Sequence, residues 1–219
     1  QDRLKNLPID TAIFSNLSQD HLDYHKTMDN YFDAKLKLFT ENENLKLAII
    51  YLDSNLSKLQ LDKLINYLIN NKIKYITYAL SSKPLYNYSP DFYYSDILPN
   101  KDGFKVKLNT PDNIIDLNIP LYGRFNLANI LAALISSIYY LDLNPIILKK
   151  IIEKIKPLAG RMMPLKNKQV FIDYAHTPDA IEKALLAIKE HFKDKKITIV
   201  FGCGGNRDKK KRPLMTQAA

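Results

Sequence analysis

The sequence predicts an α/β protein with a mostly parallel sheet and a small antiparallel element. Short apolar runs alternate with segments of helical periodicity, which is the pattern of parallel strands joined by helices. Between residues 91 and 120 the sequence changes to short runs of alternating apolar and polar residues, "GFKVKLN" and "NIIDLNI", which are typical of antiparallel strands. After Pro157 and Gly160 a new β–α–β pattern begins.

Each predicted element follows from its own periodicity and its own boundary residues. Thr27 is a plausible N-cap because Met28, Phe32, Leu36 and Phe39 recur after it at helical spacing. The predicted strands are 11–17, 46–53, 74–80, 169–175 and 196–202, and the remaining helices are 56–69, 125–140, 145–156 and 177–192. We place a domain boundary at residue 157, giving domains 1–157 and 158–219.

Composition narrows the class of protein. The chain has 219 residues, 46% of them hydrophobic, which is enough for one or two real cores. The single cysteine, Cys203, excludes an intrachain disulfide, and no apolar run is long enough for a membrane span. The chain begins with Gln1 and shows no secretory signal. We therefore expect a piece of a longer cytoplasmic protein that does not contact membranes.

The net charge of +9 raises a nucleic-acid-binding module as an alternative from a different class. Only residues 208–212, "DKKKR", concentrate this charge. Single-stranded nucleic acid would require aromatic residues interleaved with the basic ones, and "NRDKKKRPLM" has none. We expect no nucleic-acid partner, and a gel shift with random DNA at varied salt would test this.

Two histidines and a lysine stand around the start of the helix after Thr27. His21 and His25 are four residues apart, the spacing of two zinc ligands on one helix face, but no third ligand or general-base glutamate accompanies them. Lys35 lies one turn from Tyr31, at the edge of the apolar stripe. It either extends to water or, as a neutral amine, reacts with carbon dioxide to give an anionic carbamate.

Three further segments have the form of ligand-binding turns. In "YGRFNLANILAAL", Asn126 and Asn129 stand at a helix start, where amides cap the helix or bind a ligand. In "VFIDYAHTPDAIEKAL", a strand ends at Asp173 and turns through His176 into a helix, a usual place for nucleotides and phosphates. In "VFGCGGNRDKKKRP", three glycines precede Arg207 and further cations.

Together these stretches resemble the Mur ligase family. The resemblance rests on "TAIFSNLSQDHLDYHKTMDNYFDAKLKLF", "GRFNLANILAAL", "GRMMPL", "DYAHTPDAIEKAL" and "FGCGGNRDKKKRPLM", which occur in the family's order and approximate spacing. It implies part of a central ATP-binding domain over 1–157 and the start of a Rossmann-like C-terminal domain over 158–219. The match is strongest to the branch that adds the third amino acid to the peptidoglycan precursor.

The resemblance also implies roles for single residues. His21 would ligate Mg²⁺, and Lys35 would be N-carboxylated, hold a second metal or orient the γ-phosphate. Gln1 and Arg3 would contact the UDP-muramoyl dipeptide, and Asn126 and Asn129 would contact the ATP base and ribose. Arg161, Asp173 and His176 would contact the nucleotide. Arg207 would contact the carboxylate of the incoming amino acid.

The implied chemistry is ATP-dependent amide formation through an acyl phosphate. The expected cofactors are ATP and Mg²⁺, and the expected substrates are UDP-N-acetylmuramoyl-L-Ala-D-Glu and meso-2,6-diaminopimelate or L-lysine. Sister Mur ligases and folylpolyglutamate ligases are the alternatives within the family. The chain departs from the family pattern at Met163, Asn206 and Lys210. It has no G-x-x-x-x-G-K-[ST] loop, so we expect these residues alone to be inactive. We expect the protein to be a monomer.

Overall fold

The structure is a computed structural model that describes residues 7–18, 22–165, 170–203 and 211–219. Alternating strands and helices confirm the predicted α/β class. The strands are β1 (Thr11–Phe14), β2 (Leu47–Tyr51), β3 (Lys74–Ala79), β4 (Phe92–Asn100), β5 (Gly103–Asn109), β6 (Ile114–Ile119), β7 (Met163–Pro164) and β8 (Phe171–Ile172). The helices are α1 (Leu22–His25), α2 (Met28–Thr40), α3 (Lys58–Asn70), α4 (Arg124–Leu141), α5 (Pro145–Ile152), α6 (Pro178–His191) and α7 (Lys211–Ala218).

Six strands form one sheet in the order β1-β2-β3-β4-β5-β6. The first four strands pair in parallel, with Ala12 opposite Ala48, Ile49 opposite Ile76 and Tyr78 opposite Phe92. Only two residues connect β4 to the neighbouring β5, a connection that an antiparallel pair alone permits. The antiparallel element predicted for residues 91–120 therefore starts with a strand, β4, that is also the last member of the parallel set.

The second parallel strand, β2, is the most completely buried of the sheet. The four residues Leu47 to Ile50 of β2 are all buried, as expected for a strand with both faces covered. Phe14 of β1 lies 6.1 Å from Phe32 and 6.2 Å from Phe39 of α2, measured between ring centroids. This cluster of aliphatic and aromatic side chains fixes α2 against the sheet.

Side-chain caps determine where three helices begin. The Thr27 hydroxyl accepts the Asn30 N–H at 3.1 Å at the start of α2, which confirms the predicted cap. Ser57 forms a capping box with Gln60 at the start of α3. Thr177 caps α6, and the proline that follows it occupies the first helical position.

The contacts divide the chain into two compact units. The described residues of unit 1 fall within Gln1–Ser95, Leu108–Ile115 and Ala128–Leu148, and those of unit 2 within Asp96–Lys107, Asp116–Leu127 and Lys149–Ala219. The divisions fall inside β4, β5, β6, α4 and α5. They follow the compactness of the contacts and do not test the boundary at residue 157, which stays a prediction.

The predicted β–α–β pattern after residue 160 is only partly formed. Of the strand predicted at 169–175, Phe171 and Ile172 form β8, which pairs antiparallel with β7. The described residues of 196–202 form no strand, and Val200 is 95% exposed. An apolar run becomes a strand only when a neighbouring strand accepts its backbone hydrogen bonds, and none of the described strands lies beside this run.

Two helices, α1 and α7, were not predicted from the sequence. The four-residue α1 and the eight-residue α7 are short and lack a clear apolar period in the sequence. Within the described ranges, no helix is long and apolar enough to cross a membrane.

Candidate active site

Lys35 lies on the flank of α2, as its position in the apolar pattern predicted. Phe32, Leu36 and Phe39 bury the core face of this helix, and Lys35 is half-buried beside them. The amine therefore stays close to the sheet instead of standing free on the solvent face. This placement gives a charged group an ordered position near the carboxyl end of β1.

A cavity of about 250 Å³ adjoins the Lys35 side chain. It lies where β1 ends, the edge at which parallel sheets commonly bind ligands. Ser15, Asn16 and Lys35 provide polar atoms, and the remaining lining side chains are apolar. A carboxylate adds only three heavy atoms to an amine, so the cavity has room for a carbamate on Lys35. The residues lining the cavity are Ile13, Phe14, Ser15, Asn16, Ala34, Lys35, Leu38 and Phe39.

A backbone hydrogen bond braces the loop that leaves β1. The N–H of Leu17 donates to the carbonyl of Ser54 at 2.7 Å, which ties this loop to the segment after β2. Both residues are buried. The loop therefore leads the chain away from the cavity along a fixed path.

One aromatic ring, that of Tyr31, contacts the Lys35 side chain and is itself part of a row of three rings. The Lys35 Nζ lies 4.9 Å from the centroid of the Tyr31 ring, within reach of a cation–π interaction. The His25 ring stacks on Tyr31 at 4.8 Å, and Tyr24 meets His25 edge-on at 4.9 Å. The sequence analysis placed Tyr31 near Lys35 but gave it no role, although its spacing of four residues indicated the contact.

The described residues form no zinc site around His25. His25 packs against aromatic rings, and its carbonyl accepts the Thr27 N–H at 2.9 Å and the Asn30 Nδ2 at 3.0 Å. No group of three His, Cys, Asp or Glu side chains that could hold a metal occurs among the described residues. His21 lies outside the described residues, so its predicted role as a metal ligand stays a prediction.

Asn126 is ordered by the turn that precedes α4. Its side-chain Nδ2 donates to the Tyr122 carbonyl at 2.8 Å, and its N–H donates to the Gly123 carbonyl at 2.9 Å. The side chain thus fixes the turn through its NH₂ group, instead of accepting a backbone N–H as an N-cap does. Asn129 is exposed three residues further along the same helix.

Arg161 and Asp173 lie at the same end of the short antiparallel β7–β8 pair, where Met163 is opposite Ile172. The Asp173 carboxylate accepts the N–H of Met162 at 2.8 Å, and Met162 is buried with a positive φ of 45°. The exposed Arg161 guanidinium lies 5.4 Å from the Tyr174 ring centroid. Asp173 therefore holds the turn that presents Arg161.

His176 is positioned by the same tyrosine. Its Nδ1 lies 3.0 Å from the Tyr174 carbonyl, and since a carbonyl only accepts, Nδ1 carries the proton. The two rings meet at 5.2 Å. Tyr174 thus contacts both Arg161 and His176, and the sequence analysis missed it although it stands inside "DYAH". The structure brings Arg161, Asp173 and His176 together in unit 2.

Four of the predicted site residues cannot be placed. Gln1, Arg3, His21 and Arg207 lie outside the described residues, as do the family departures Asn206 and Lys210. Met163, the third departure, is half-buried in β7 opposite Ile172.

Similarity to known families covers nearly the whole chain. The model of the Mur ligase middle domain matches residues 1–137, and that of the "Mur ligase, glutamate ligase domain" matches residues 160–219. The UDP-N-acetylmuramoyl-L-alanyl-D-glutamate–2,6-diaminopimelate ligase of Rickettsia conorii is 38% identical over 100% of this chain and 43% of its own length. The Pseudomonas syringae pv. tomato protein of the same name is 40% identical over 99% of the chain and 42% of its own length.

Solved structures agree with this similarity. A structure of a diaminopimelate ligase of that name superimposes with a TM-score of 0.71 at 36% identity, covering 99% of this chain and 43% of that one. The UDP-N-acetylmuramate-alanine ligase MurC of Thermotoga maritima shares the fold, with a TM-score of 0.67 at 18% identity. The chain thus spans about two fifths of the length of the relatives it matches. The chain belongs to the Mur ligase family.

Proposed function

We propose that the protein containing this chain is an ATP-dependent ligase of peptidoglycan precursor synthesis. It would join meso-2,6-diaminopimelate to the D-glutamyl residue of UDP-N-acetylmuramoyl-L-Ala-D-Glu. The observation that carries this proposal is the 38% identity to a diaminopimelate ligase along the whole chain. Identity to MurC and to a folylpolyglutamate synthase is only 18% and 17%.

Lys35 is the residue on which the proposed chemistry depends. The Lys35 ammonium first loses a proton, and the neutral amine then attacks carbon dioxide, which forms an N–C bond and releases a second proton. A cation thereby becomes an anionic carbamate. The cavity of about 250 Å³ beside the side chain has room for this group. Since α2 is held by its cap and its buried face, the carbamate would sit at a fixed point at the end of β1.

The donor set beside Lys35 fits Mg²⁺. This ion prefers oxygen ligands, and the carbamate would supply them next to the polar side chains of Ser15 and Asn16. His21, four residues before His25, is proposed as a further ligand on the family resemblance. When bound, Mg²⁺ would neutralise charge on the transferred phosphoryl group.

The nucleotide is proposed to contact residues that the structure holds in place. On the family resemblance we assign Asn126, whose side chain is fixed by Tyr122, and Asn129 on the same helix to the base and ribose. Arg161 and His176, both oriented by Tyr174, would face the phosphates as hydrogen-bond donors. Asp173 would act indirectly, by holding the turn before β7.

The reaction would proceed in two displacements. The D-glutamyl γ-carboxylate attacks the γ-phosphorus of ATP, giving an acyl phosphate and ADP. The amine of the third amino acid then attacks the acyl carbon, phosphate leaves, and the amine loses a proton. The contribution of this chain would be positioning and electrostatic stabilisation rather than covalent catalysis.

Three residues are proposed to bind the other substrates on the family resemblance alone. Gln1 and Arg3 would contact the UDP-muramoyl dipeptide, and Arg207 would pair with a carboxylate of the incoming amino acid. Diaminopimelate has a second carboxylate that L-lysine lacks, so the two amino acids are the natural pair for a specificity test.

We further propose domains 1–157 and 158–219 and a cytoplasmic, monomeric protein. The chain contains no phosphate-binding G-x-x-x-x-G-K-[ST] loop. We therefore expect no ligation from the 219 residues alone, and measurable turnover by them would contradict this.

The decisive experiment uses the full-length protein. Phosphate release from ATP is measured with UDP-N-acetylmuramoyl-L-Ala-D-Glu and either meso-diaminopimelate or L-lysine. The proposal predicts release that depends on diaminopimelate. Release with L-lysine alone would reassign the amino acid, and release with neither would reject the ligase.

Lys35→Ala is the matched test of the site, with Lys37→Ala as its control. Lys37 is exposed on the same helix and pairs with Glu41 at 3.4 Å. We expect turnover to be lost in the first variant, partly restored there by short carboxylic acids, and retained in the second. Equal activity in both variants would remove Lys35 from the mechanism.

A further inference from the structure

Tyr122 is a buried residue of unit 2 that contacts both segments carrying proposed nucleotide contacts. It is 2% exposed and directly precedes the turn at Gly123, where φ is 84°. Its carbonyl accepts the Asn126 side-chain Nδ2 at 2.8 Å. The conformation of the Asn126 side chain therefore depends on where the Tyr122 backbone lies.

The Tyr122 ring reaches the second segment. It meets the Phe171 ring edge-on, with centroids 4.9 Å apart and an interplanar angle of 79°. Phe171 belongs to β8 and stands two residues before Asp173. Tyr122 thus joins the turn that orders Asn126 to β8, which directly precedes Asp173.

The Tyr122 hydroxyl fixes the ring from the opposite end of the side chain. It donates to the Lys101 carbonyl at 2.8 Å, in the turn between β4 and β5. The neighbouring carbonyl, that of Asn100, accepts from His191 Nδ1 at 2.8 Å. Tyr122 and His191, which are distant in the sequence, therefore donate hydrogen bonds to the consecutive carbonyls of Lys101 and Asn100.

His191 completes this cluster at the end of α6. Its ring lies 4.5 Å from Phe104 and 5.0 Å from Tyr122. Since Nδ1 donates to a carbonyl, Nε2 carries no proton in the neutral ring, and it is buried without a hydrogen-bond partner. Beside it, Glu190 pairs with Arg124 of α4 at 2.8 Å.

We propose that Tyr122 is a positioning residue for nucleotide binding, with His191 as its support. The Tyr122 carbonyl and ring set the spacing between Asn126 and the end of β8. The Tyr122 hydroxyl and His191 hold this arrangement through hydrogen bonds to the β4–β5 turn. The inference rests on the proposed function, since it takes Asn126 and Asp173 as residues of the nucleotide side. It assigns Tyr122 no contact with ATP.

The test compares Tyr122→Leu and Tyr122→Phe in the full-length protein. Tyr122→Leu removes the ring contact with Phe171, and the KM for ATP is expected to rise roughly tenfold with kcat changed less than about twofold. Tyr122→Phe keeps the ring and loses one neutral hydrogen bond, so a rise of about threefold is expected. Partial rescue by phenylalanine separates positioning by the ring from the hydroxyl.

Tyr67→Phe is the matched control. Its hydroxyl donates to the Thr40 carbonyl at 3.2 Å in unit 1, so the variant loses the same kind of bond away from the nucleotide side. The melting temperature is measured for every variant. A role in stability alone would lower the melting temperature while leaving the KM for ATP unchanged, and that result overturns the proposal.

Calorimetric titration with ADP and Mg²⁺ keeps this proposal distinct from the ligase reaction. Weaker ADP binding in Tyr122→Leu than in Tyr67→Phe supports positioning even if the protein fails to ligate diaminopimelate. Equal binding in the two variants overturns positioning even if ligation is shown, and so does an unmodified protein that binds no ADP. If Tyr122→Leu fails to fold, Tyr122→Phe and His191→Gln give the same comparison.

Discussion

A methyl group added at Gly103 tests the close packing of the β4–β5 turn. The backbone of Gly103 has φ 139°, and an added Cβ would lie 2.1 Å from the Ile119 carbonyl oxygen and 3.0 Å from the Leu121 nitrogen. These are backbone atoms, so the sheet itself would have to move. Gly103→Ala should therefore distort the β4–β5 turn, to which Tyr122 and His191 donate hydrogen bonds.

Gly160→Ala provides the matched comparison in the same unit. Gly160 also has a positive φ, 69°, but no atom lies within 4 Å of its added Cβ. An L-residue in such a conformation costs about 1–2 kcal/mol, and overpacking adds about 1–3 kcal/mol. We expect Gly103→Ala to be less stable than Gly160→Ala by about 2 kcal/mol.

Thermal unfolding of the two variants measures this difference. For a chain of this size, about 2 kcal/mol corresponds to a lowering of the melting temperature by roughly 4–8 °C. The transition is followed by near-ultraviolet circular dichroism, which reports the tyrosine-rich packing. The reasoning is refuted if Gly103→Ala melts at the same temperature as Gly160→Ala or above it.

Three further predictions concern the helices. Thr27→Val removes the cap oxygen of α2 while keeping its shape, so it should lower the free energy of unfolding in urea by about 1 kcal/mol, whereas Thr27→Ser should not. Leu61→Ala empties a fully buried site of α3 and should cost about 2–5 kcal/mol in the same assay. Burial lowers the pKa of His191 below its usual value of 6.5, against smaller opposing effects of the Asn100 carbonyl and Glu190. Because its pKa is higher in the unfolded chain, His191 binds more protons there at acidic pH. Its contribution to the free energy of unfolding should be complete above pH 6.5 and decrease as the pH drops toward the lowered pKa. His191→Gln should weaken this pH dependence.

Local signals made the parallel half of the fold predictable. Thr27 predicted the start of α2, and the uninterrupted apolar run around Ile49 predicted the strand β2. The half-buried position of Lys35 also followed from the period of one helix. In each case the information lies within a few residues of the feature it determines.

Features that depend on distant partners were not predictable. The run 196–202 has the composition of a strand, yet pairing decides whether it becomes one. Tyr122 and His191 meet although they are far apart in sequence, and no periodicity indicates that they share a turn. Tyr174 was visible inside a motif, but only the structure shows that it orients Arg161 and His176.

The proposed mechanism depends on the carbamate on Lys35. Its most direct measurement is a ¹³C NMR spectrum of the full-length protein equilibrated with ¹³C-labelled bicarbonate. We predict a protein-bound carbamate resonance in the unmodified protein and in Lys37→Ala, and none in Lys35→Ala. A spectrum without this resonance, or one in which it persists in Lys35→Ala, would contradict the proposed role of Lys35.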